Sequence, residues 1–132
     1  MTKRFSFRNQ QGQSMTEFAL VLPILALLLF GVIQFGLVFN NYVTMTDAVR
    51  AGARKAAVGR HLSDPEGSAI TAVRAAATDL KQSDLNVTVG VNPDWTPGAE
   101  VTVSADYPYR ISLLGLVVRS GRMHSTTKER VE

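Results

Sequence analysis

FALVLPILALLLFGVIQFGLVF, residues 18–39, is the stretch that decides the fold, because in 22 residues Gln34 is its only polar side chain. At ~1.5 Å per residue, a helix of this length reaches roughly 33 Å, enough to cross a hydrocarbon core of ~30 Å. A soluble domain within a chain of 132 residues does not need such a run. The sequence therefore predicts a helix that spans a membrane or lies in the core of a fibre.

The basic residues in front of this stretch indicate its orientation. Lys3, Arg4 and Arg8 precede it, and no acidic residue accompanies them before Glu17. The formal net charge is +3, from 14 basic and 11 acidic residues, and the whole excess lies in the first twelve residues. Because basic flanks stay on the cytoplasmic side, we expect a cytoplasmic N-terminus and an extracytoplasmic segment 40–132. After residue 12, basic and acidic residues are mixed along the chain. A nucleic-acid-binding protein has a clustered basic surface instead, so no nucleic-acid partner is predicted.

The sequence fits neither a secretory signal peptide nor an enzyme. A secretory signal has an apolar stretch of ~7–15 residues and then a small-residue cleavage site, but this stretch is longer and is followed by residues 40–43, NNYV. There is no cysteine, which excludes disulfides and thiolate chemistry. No HExxH, GxSxG or glycine-rich phosphate loop accompanies the two histidines, His61 and His124. We predict no catalytic residue, no metal site, no cofactor and no enzymatic activity.

The segment QGQSMTEF, residues 11–18, carries a distinctive spacing. Gly12 ends the basic leader, Glu17 follows five residues later, and the apolar run begins immediately afterwards with Phe18. By position alone, Glu17 is either a polar residue at the membrane interface or a carboxylate with a specific role.

This order resembles the processing site of type IV prepilins, particularly those of the Tad (tight adherence, or Flp) branch. The resemblance implies that a prepilin peptidase cuts between Gly12 and Gln13, which makes Gln13 the mature N-terminus and Glu17 its fifth residue. It also implies that Glu17, followed by Phe18, neutralises the new α-amine of a neighbouring subunit and sets the axial stagger of the fibre. An unpaired amine among apolar helices would be costly.

The resemblance extends to about residue 58. Residues 17–23, EFALVLP, are similar to the opening of TadE-like proteins, the minor pseudopilins of Tad pili. Residues 48–57, AVRAGARKAA, are similar to the small-residue, arginine-bearing helix of that family. The partners that this implies are other pilin and pseudopilin subunits, an inner-membrane assembly platform and membrane lipid, in a system for adhesion and biofilm formation.

Periodicity predicts the remainder of the chain. Helical spacing continues to about Gly59, with a narrow stripe that packs on its own head or on a partner subunit: Tyr42, Met45, Val49, Gly52, Ala53 and Ala56. Ser63 and Glu66 have capping-box spacing around Pro65, which predicts a second helix that ends near Lys81.

Period-two alternation follows the second helix. It predicts an antiparallel hairpin from residues 85–91 and 101–107, and a weaker third strand over 122–127. Residues 111–118 are apolar but too few to span a bilayer as a helix, so they form a short core segment or a patch near the membrane.

The predicted fold class is α+β and pilin-like, with a long N-terminal helix, a second helix and an antiparallel sheet of two or three strands. We expect a cleaved cytoplasmic leader over 1–12, a transmembrane and extended helix over 13–59, and an extracytoplasmic head over 60–132. The predicted function is a minor pseudopilin in the inner membrane that supports assembly of a Tad-type adhesive pilus and can enter the extracellular fibre. The alternative is an uncleaved, single-pass binding module of the cell envelope.

Overall fold

The computed structural model describes the backbone of residues 10–132 and the side chains from Gly12 onward. Lys3, Arg4 and Arg8 of the predicted leader lie outside the described residues. The elements are α1 (Gln10–Val58), α2 (Pro65–Ala76), β1 (Asn86–Asn92), β2 (Glu100–Leu113) and β3 (Leu116–Arg130). This arrangement confirms the predicted α+β class, with a long apolar helix, a second helix and a three-stranded antiparallel sheet.

Helix α1 is continuous over 49 residues, although Pro23 removes one backbone donor within it. Within the described chain it is the one helix that is long and apolar enough to cross a membrane. Most of its apolar half lies outside the head, and side chains such as Leu20 and Val32 are 71% exposed. Such an exposed surface requires lipid or other apolar helices around it.

One face of α1 leads from this bare half into the head. Gln34, Val38 and Asn41 are half-buried at helical spacing, whereas most of their neighbours are exposed. The same face continues into Met45, which is fully buried. Val38 packs against the hydrophobic cluster of the head, so the head overlaps the end of the apolar run.

The upper half of α1 forms the core of the head together with α2 and the sheet. Gly52 permits the close approach of α2, because a Cβ there would lie 2.2 Å from Val73 Cγ2 and 3.1 Å from the Ala69 carbonyl oxygen. The predicted small-residue stripe is therefore buried in its own head, except that Tyr42 is 43% exposed. Besides the stripe and the α2 residues Ala69 and Val73, the core contains residues of α1, the sheet and the loops: Ala48, Ala77, Leu80, Leu85, Ala99, Val101, Val103, Ala105, Met123 and Val131.

The predicted start and end of α2 need correction. Its N-cap is Asp64 rather than Ser63, because the Asp64 carboxylate accepts the Gly67 N–H at 2.8 Å. The helix ends at Ala76, not near Lys81, because Gln82 Nε2 donates to the Ala77 carbonyl oxygen at 2.8 Å and draws the chain into a turn. Ala77 and Leu80 are still buried, which explains why the apolar spacing continued past the true end.

The sheet has the order β1-β2-β3 and is antiparallel throughout. Val101, Val103 and Ala105 face the helices, whereas the alternate side chains face outward. The third strand is 15 residues long, far longer than the predicted 122–127. The proposed core segment over 111–118 is wrong for its second half, because Leu114 and Leu116 are 74% and 75% exposed at the hairpin turn.

The C-terminus fixes the direction of β3 relative to α1. The Glu132 N–H donates to the Ala57 carbonyl oxygen at 2.9 Å, and the Val131 side chain is buried. The end of β3 therefore lies beside the last turns of α1. The start of β3, at the β2–β3 turn, lies toward the apolar half of α1.

Candidate functional site

The residues that the sequence singles out lie at the beginning of α1. Within the described residues α1 runs from Gln10, and both Gly12 and Gln13 are helical. Gly12 is exposed, and nothing lies within 4 Å of a Cβ built on it. The bond between Gly12 and Gln13 therefore sits on an open surface, within the first turns of the helix.

Two side-chain hydrogen bonds, each spanning one helical turn, join this segment. Gln13 Nε2 donates to Glu17 Oε1 at 3.2 Å, and Thr16 Oγ1 donates to the Gly12 carbonyl oxygen at 2.9 Å. Both bonds are exposed. The pair of side chains adds only ~0.2–0.5 kcal/mol to the helix, and a threonine hydroxyl bonded to the carbonyl four residues earlier adds no stability to it. The second bond engages the carbonyl of the bond between Gly12 and Gln13.

Glu17 is isolated along the helix. No charged residue follows it until Asp47, and Phe18 beside it is 64% exposed. Side chains on a helix tilt toward its N-terminus, so the Glu17 carboxylate leans toward Gln13. An α-amine created at Gln13 would therefore share a helix face with Glu17, the only acidic residue before Asp47.

The structure also brings together a polar row that the sequence analysis missed. Asp106 Oδ1 lies 2.9 Å from His124 Nδ1, and His124 Nε2 lies 2.8 Å from Thr126 Oγ1, which is 2.9 Å from Ser104 Oγ. These residues oppose each other in the β2–β3 register. The sequence does not show which of these side chains pair, because the pairing depends on the β2–β3 register. Gly115, at the turn between the two strands, is the one sequence feature that points to that register.

This polar row has the order acid, imidazole and hydroxyl, but it lies on the flat outer face of the sheet. His124 and Asp106 are 60% and 39% exposed. Three surface cavities lie elsewhere, beside Lys55 and Asp64, beside Glu100 and Glu132, and beside Lys81 and Arg122. Cross-strand polar pairs of this kind stabilise a sheet by ~0.2–1 kcal/mol each, and that is the role we assign to the row.

Comparison with known proteins confirms the resemblance stated for the N-terminal part. Residues 12–54 match a family model described as TadE-like protein, and this covers about a third of the chain. The match begins at Gly12 and includes Glu17, the apolar run and Gly52. No curated protein and no solved structure matches the chain.

Proposed function

We propose, from the match of residues 12–54 to the TadE-like family model, that this chain is a TadE-like protein of the Tad pilus system and a minor pseudopilin processed between Gly12 and Gln13. TadE-like pilus components are structural proteins and associate with other components of the pilus. The single N-terminal apolar helix fits a membrane-anchored component of that kind.

One observation carries the proposal: an isolated carboxylate directly precedes a long, exposed and uncharged stretch of the helix. Glu17 lies one turn after Gln13, and the next charged residue is Asp47. An exposed apolar rod of this length associates with lipid before assembly and with other apolar helices afterwards. The carboxylate then offers a partner to an α-amine in surroundings where an unpaired charge is costly.

The proposed organisation follows from this role. Residues 1–12 form a cytoplasmic leader that the prepilin peptidase removes, and 13–59 form the helix that crosses the inner membrane. Residues 60–132 form the head on the extracytoplasmic side. The partners are the peptidase, the assembly platform, membrane lipid and the pilin and pseudopilin subunits that receive the released helix.

Cleavage requires the first turns of α1 to open, because the bond between Gly12 and Gln13 lies within the helix. Glycine lowers the cost of opening, since it is about 1 kcal/mol less favourable in a helix than alanine. The Thr16 hydroxyl, which holds the Gly12 carbonyl, must release it. These features explain physically why a glycine suits this position.

Replacement of Gly12 by leucine is expected to leave the chain as an unprocessed precursor. The side chain meets no neighbour among the described residues, so the head still folds, but it blocks the approach of the peptidase and strengthens the helix by about 1 kcal/mol. Intact mass measured after co-expression with a prepilin peptidase is the readout.

The matched control is Gly36→Leu. Gly36 is also helical and also has nothing within 4 Å of a Cβ, but it lies far from the proposed cut. We expect normal removal of residues 1–12 from this variant. Normal processing of the Gly12→Leu chain would assign the cut to another bond.

The second candidate is the uncleaved, single-pass binding module. The continuity of α1 across Gly12 and Gln13 favours it, because a stable helix resists proteolysis. In that case the polar outer face of the sheet, with His124 and Asp106, is the surface available to a ligand or envelope partner. An unprocessed chain in cells that contain the peptidase would support this candidate.

A further inference from the structure

The turn between β2 and β3 presents an apolar tip that the head does not cover. This hairpin tip, residues 111–118, has the sequence ISLLGLVV, in which serine is the only polar side chain. Leu114, Leu116 and Val118 are 74%, 75% and 62% exposed. Leu114 and Leu116 are thus more exposed than any leucine along the bare half of α1, where Leu20 reaches 71%.

The hairpin is long enough to reach the level of the apolar run. From the anchor at Ala57, the 15 residues of β3 extend roughly 46 Å. Phe39, where the run ends, lies only about 27 Å below Ala57. Val38, at the end of the run, packs against the hydrophobic cluster of the head, so the head reaches the level of the run.

A tip at the level of the end of the run would meet the boundary of the membrane that the run crosses. Amphipathic elements that bind a membrane surface insert by about 5–10 Å into the boundary between headgroups and acyl chains.

The turn between β2 and β3 holds an exposed leucine in a strained backbone conformation. Leu114 has φ 50° and Gly115 has φ 85°, so two left-handed residues connect the strands. Asn-Gly is the sequence that such a turn prefers, and a bulky side chain at positive φ is strained. Strained residues of this type cluster at functional positions, and here the strained residue is the most prominent apolar side chain of the tip.

Basic and aromatic residues border the tip where it would meet lipid headgroups. Arg110, Arg119 and Arg122 are exposed, and no acidic residue occurs between Asp106 and Glu129. The Tyr109 ring lies against Gly121, directly across the ladder at the base of the tip. An apolar tip with tyrosine and arginine above it is the composition of a membrane-interface segment.

We propose that the hairpin tip inserts into the phospholipid interface on the head's side of the bilayer that α1 crosses, with the three arginines against lipid phosphates. This inference rests on the membrane span that the proposed function includes. The head would then have two membrane attachments, α1 and the tip, and its orientation above the bilayer would be fixed. Release into a fibre would require withdrawal of the tip as well as of the helix.

The test uses the full chain in vesicles of phosphatidylcholine and phosphatidylglycerol. Because the protein has no native cysteine, one environment-sensitive fluorophore can be attached to the Leu116→Cys, Leu28→Cys or Gly90→Cys variant. Leu28 is a mid-helix reference, and Gly90 is an open position on β1. Quenching by spin-labelled lipid is compared with quenching by aqueous iodide.

We expect the label in the L116C chain to be quenched by lipid several-fold more strongly than that in the G90C chain and to be protected from iodide. Quenching by iodide to the level of the G90C chain, with the L28C label still protected, would overturn the proposal and leave the membrane span intact. Protection from both quenchers would place the tip against protein, which also overturns it. Loss of lipid quenching in the L28C chain would overturn the span itself, and the proposal with it.

A variant of the turn separates lipid contact from folding. Leu114→Asn keeps a residue that accepts positive φ, so the hairpin still forms. We expect it to reduce lipid quenching of the L116C label, and an unchanged signal would count against the role of Leu114.

Replacement of Arg110, Arg119 and Arg122 by glutamine is expected to remove the gain in quenching that phosphatidylglycerol gives over phosphatidylcholine alone.

Discussion

A chain that carries Glu17→Ala is expected to insert into the membrane and to lose its leader, but to yield no assembled pilus. The substitution leaves Gly12 and the apolar run untouched, and alanine favours the helix. In the packed fibre, however, the α-amine of the neighbouring subunit would lose its acidic partner, because the next charged residue along α1 is Asp47. Removal of one partner of a buried ion pair costs about 3–5 kcal/mol, so assembly should fall by more than about 100-fold.

Two control variants separate the charge from the local hydrogen bond. Glu17→Gln keeps the size of the side chain without the charge and is expected to fail in the same way. Gln13→Ala removes the exposed bond from Gln13 Nε2 to Glu17 Oε1 but keeps the carboxylate, so assembly should persist. Pilus recovery by shearing and electron microscopy gives the readout, and normal pili from the Glu17→Ala chain would remove the proposed role of this residue.

Substitution of Gly52 by leucine is expected to unfold or displace the head, with a loss of at least about 2–3 kcal/mol of stability. The reason is steric, because a Cβ at this position would lie 2.2 Å from Val73 Cγ2, and valine cannot rotate out of a packed core. For a head of this size, such a loss lowers the Tm by roughly 10 °C or more. Thermal unfolding of the full chain in detergent measures it.

The control for this prediction is again Gly36→Leu, where the same change meets open space. A double-mutant cycle identifies the contact, because Val73→Ala should relieve part of the destabilisation caused by Gly52→Ala. Strictly additive effects of the two substitutions would show that Gly52 and Val73 are not coupled. The helix-packing account of the α1–α2 contact would then be wrong.

The sequence predicts the long helix well because length and hydrophobicity act locally. The predicted end near Gly59 is one residue from the observed end at Val58. The small-residue stripe was also found from spacing, but the choice between its own head and a partner subunit required the structure. Tyr42 was wrongly assigned to the stripe. Its position fits the helical spacing, but its side chain is exposed.

The ends of α2 show where local patterns mislead. Ser63 and Glu66 have the spacing of a capping box, yet Asp64 directly before Pro65 is the residue whose carboxylate reaches the Gly67 N–H. At the other end, Ala77 and Leu80 continue the apolar spacing in a turn rather than a helix. The Gln82 amide determines this end, and an amide that caps a carbonyl five residues earlier leaves no periodic signal.

The hairpin formed by β2 and β3 could not be predicted from the sequence for a different reason. Its turn uses Leu114 with Gly115 instead of Asn-Gly, so the strongest hairpin signal is missing. Without the turn, the strand could not be extended past 122–127, and the register that pairs Asp106 with His124 could not be found. The same residue, Leu114, is an exposed apolar side chain at the turn of the proposed interfacial segment.

The most direct measurement of the central claim is the intact mass of this protein purified from the membranes of piliated cells. Mass spectrometry is preferred because it reports the first residue even where the terminal amine is modified. The account predicts a chain that begins at Gln13, with Glu17 as its fifth residue. A chain that still begins at Met1, in cells whose prepilin peptidase is active, would contradict it.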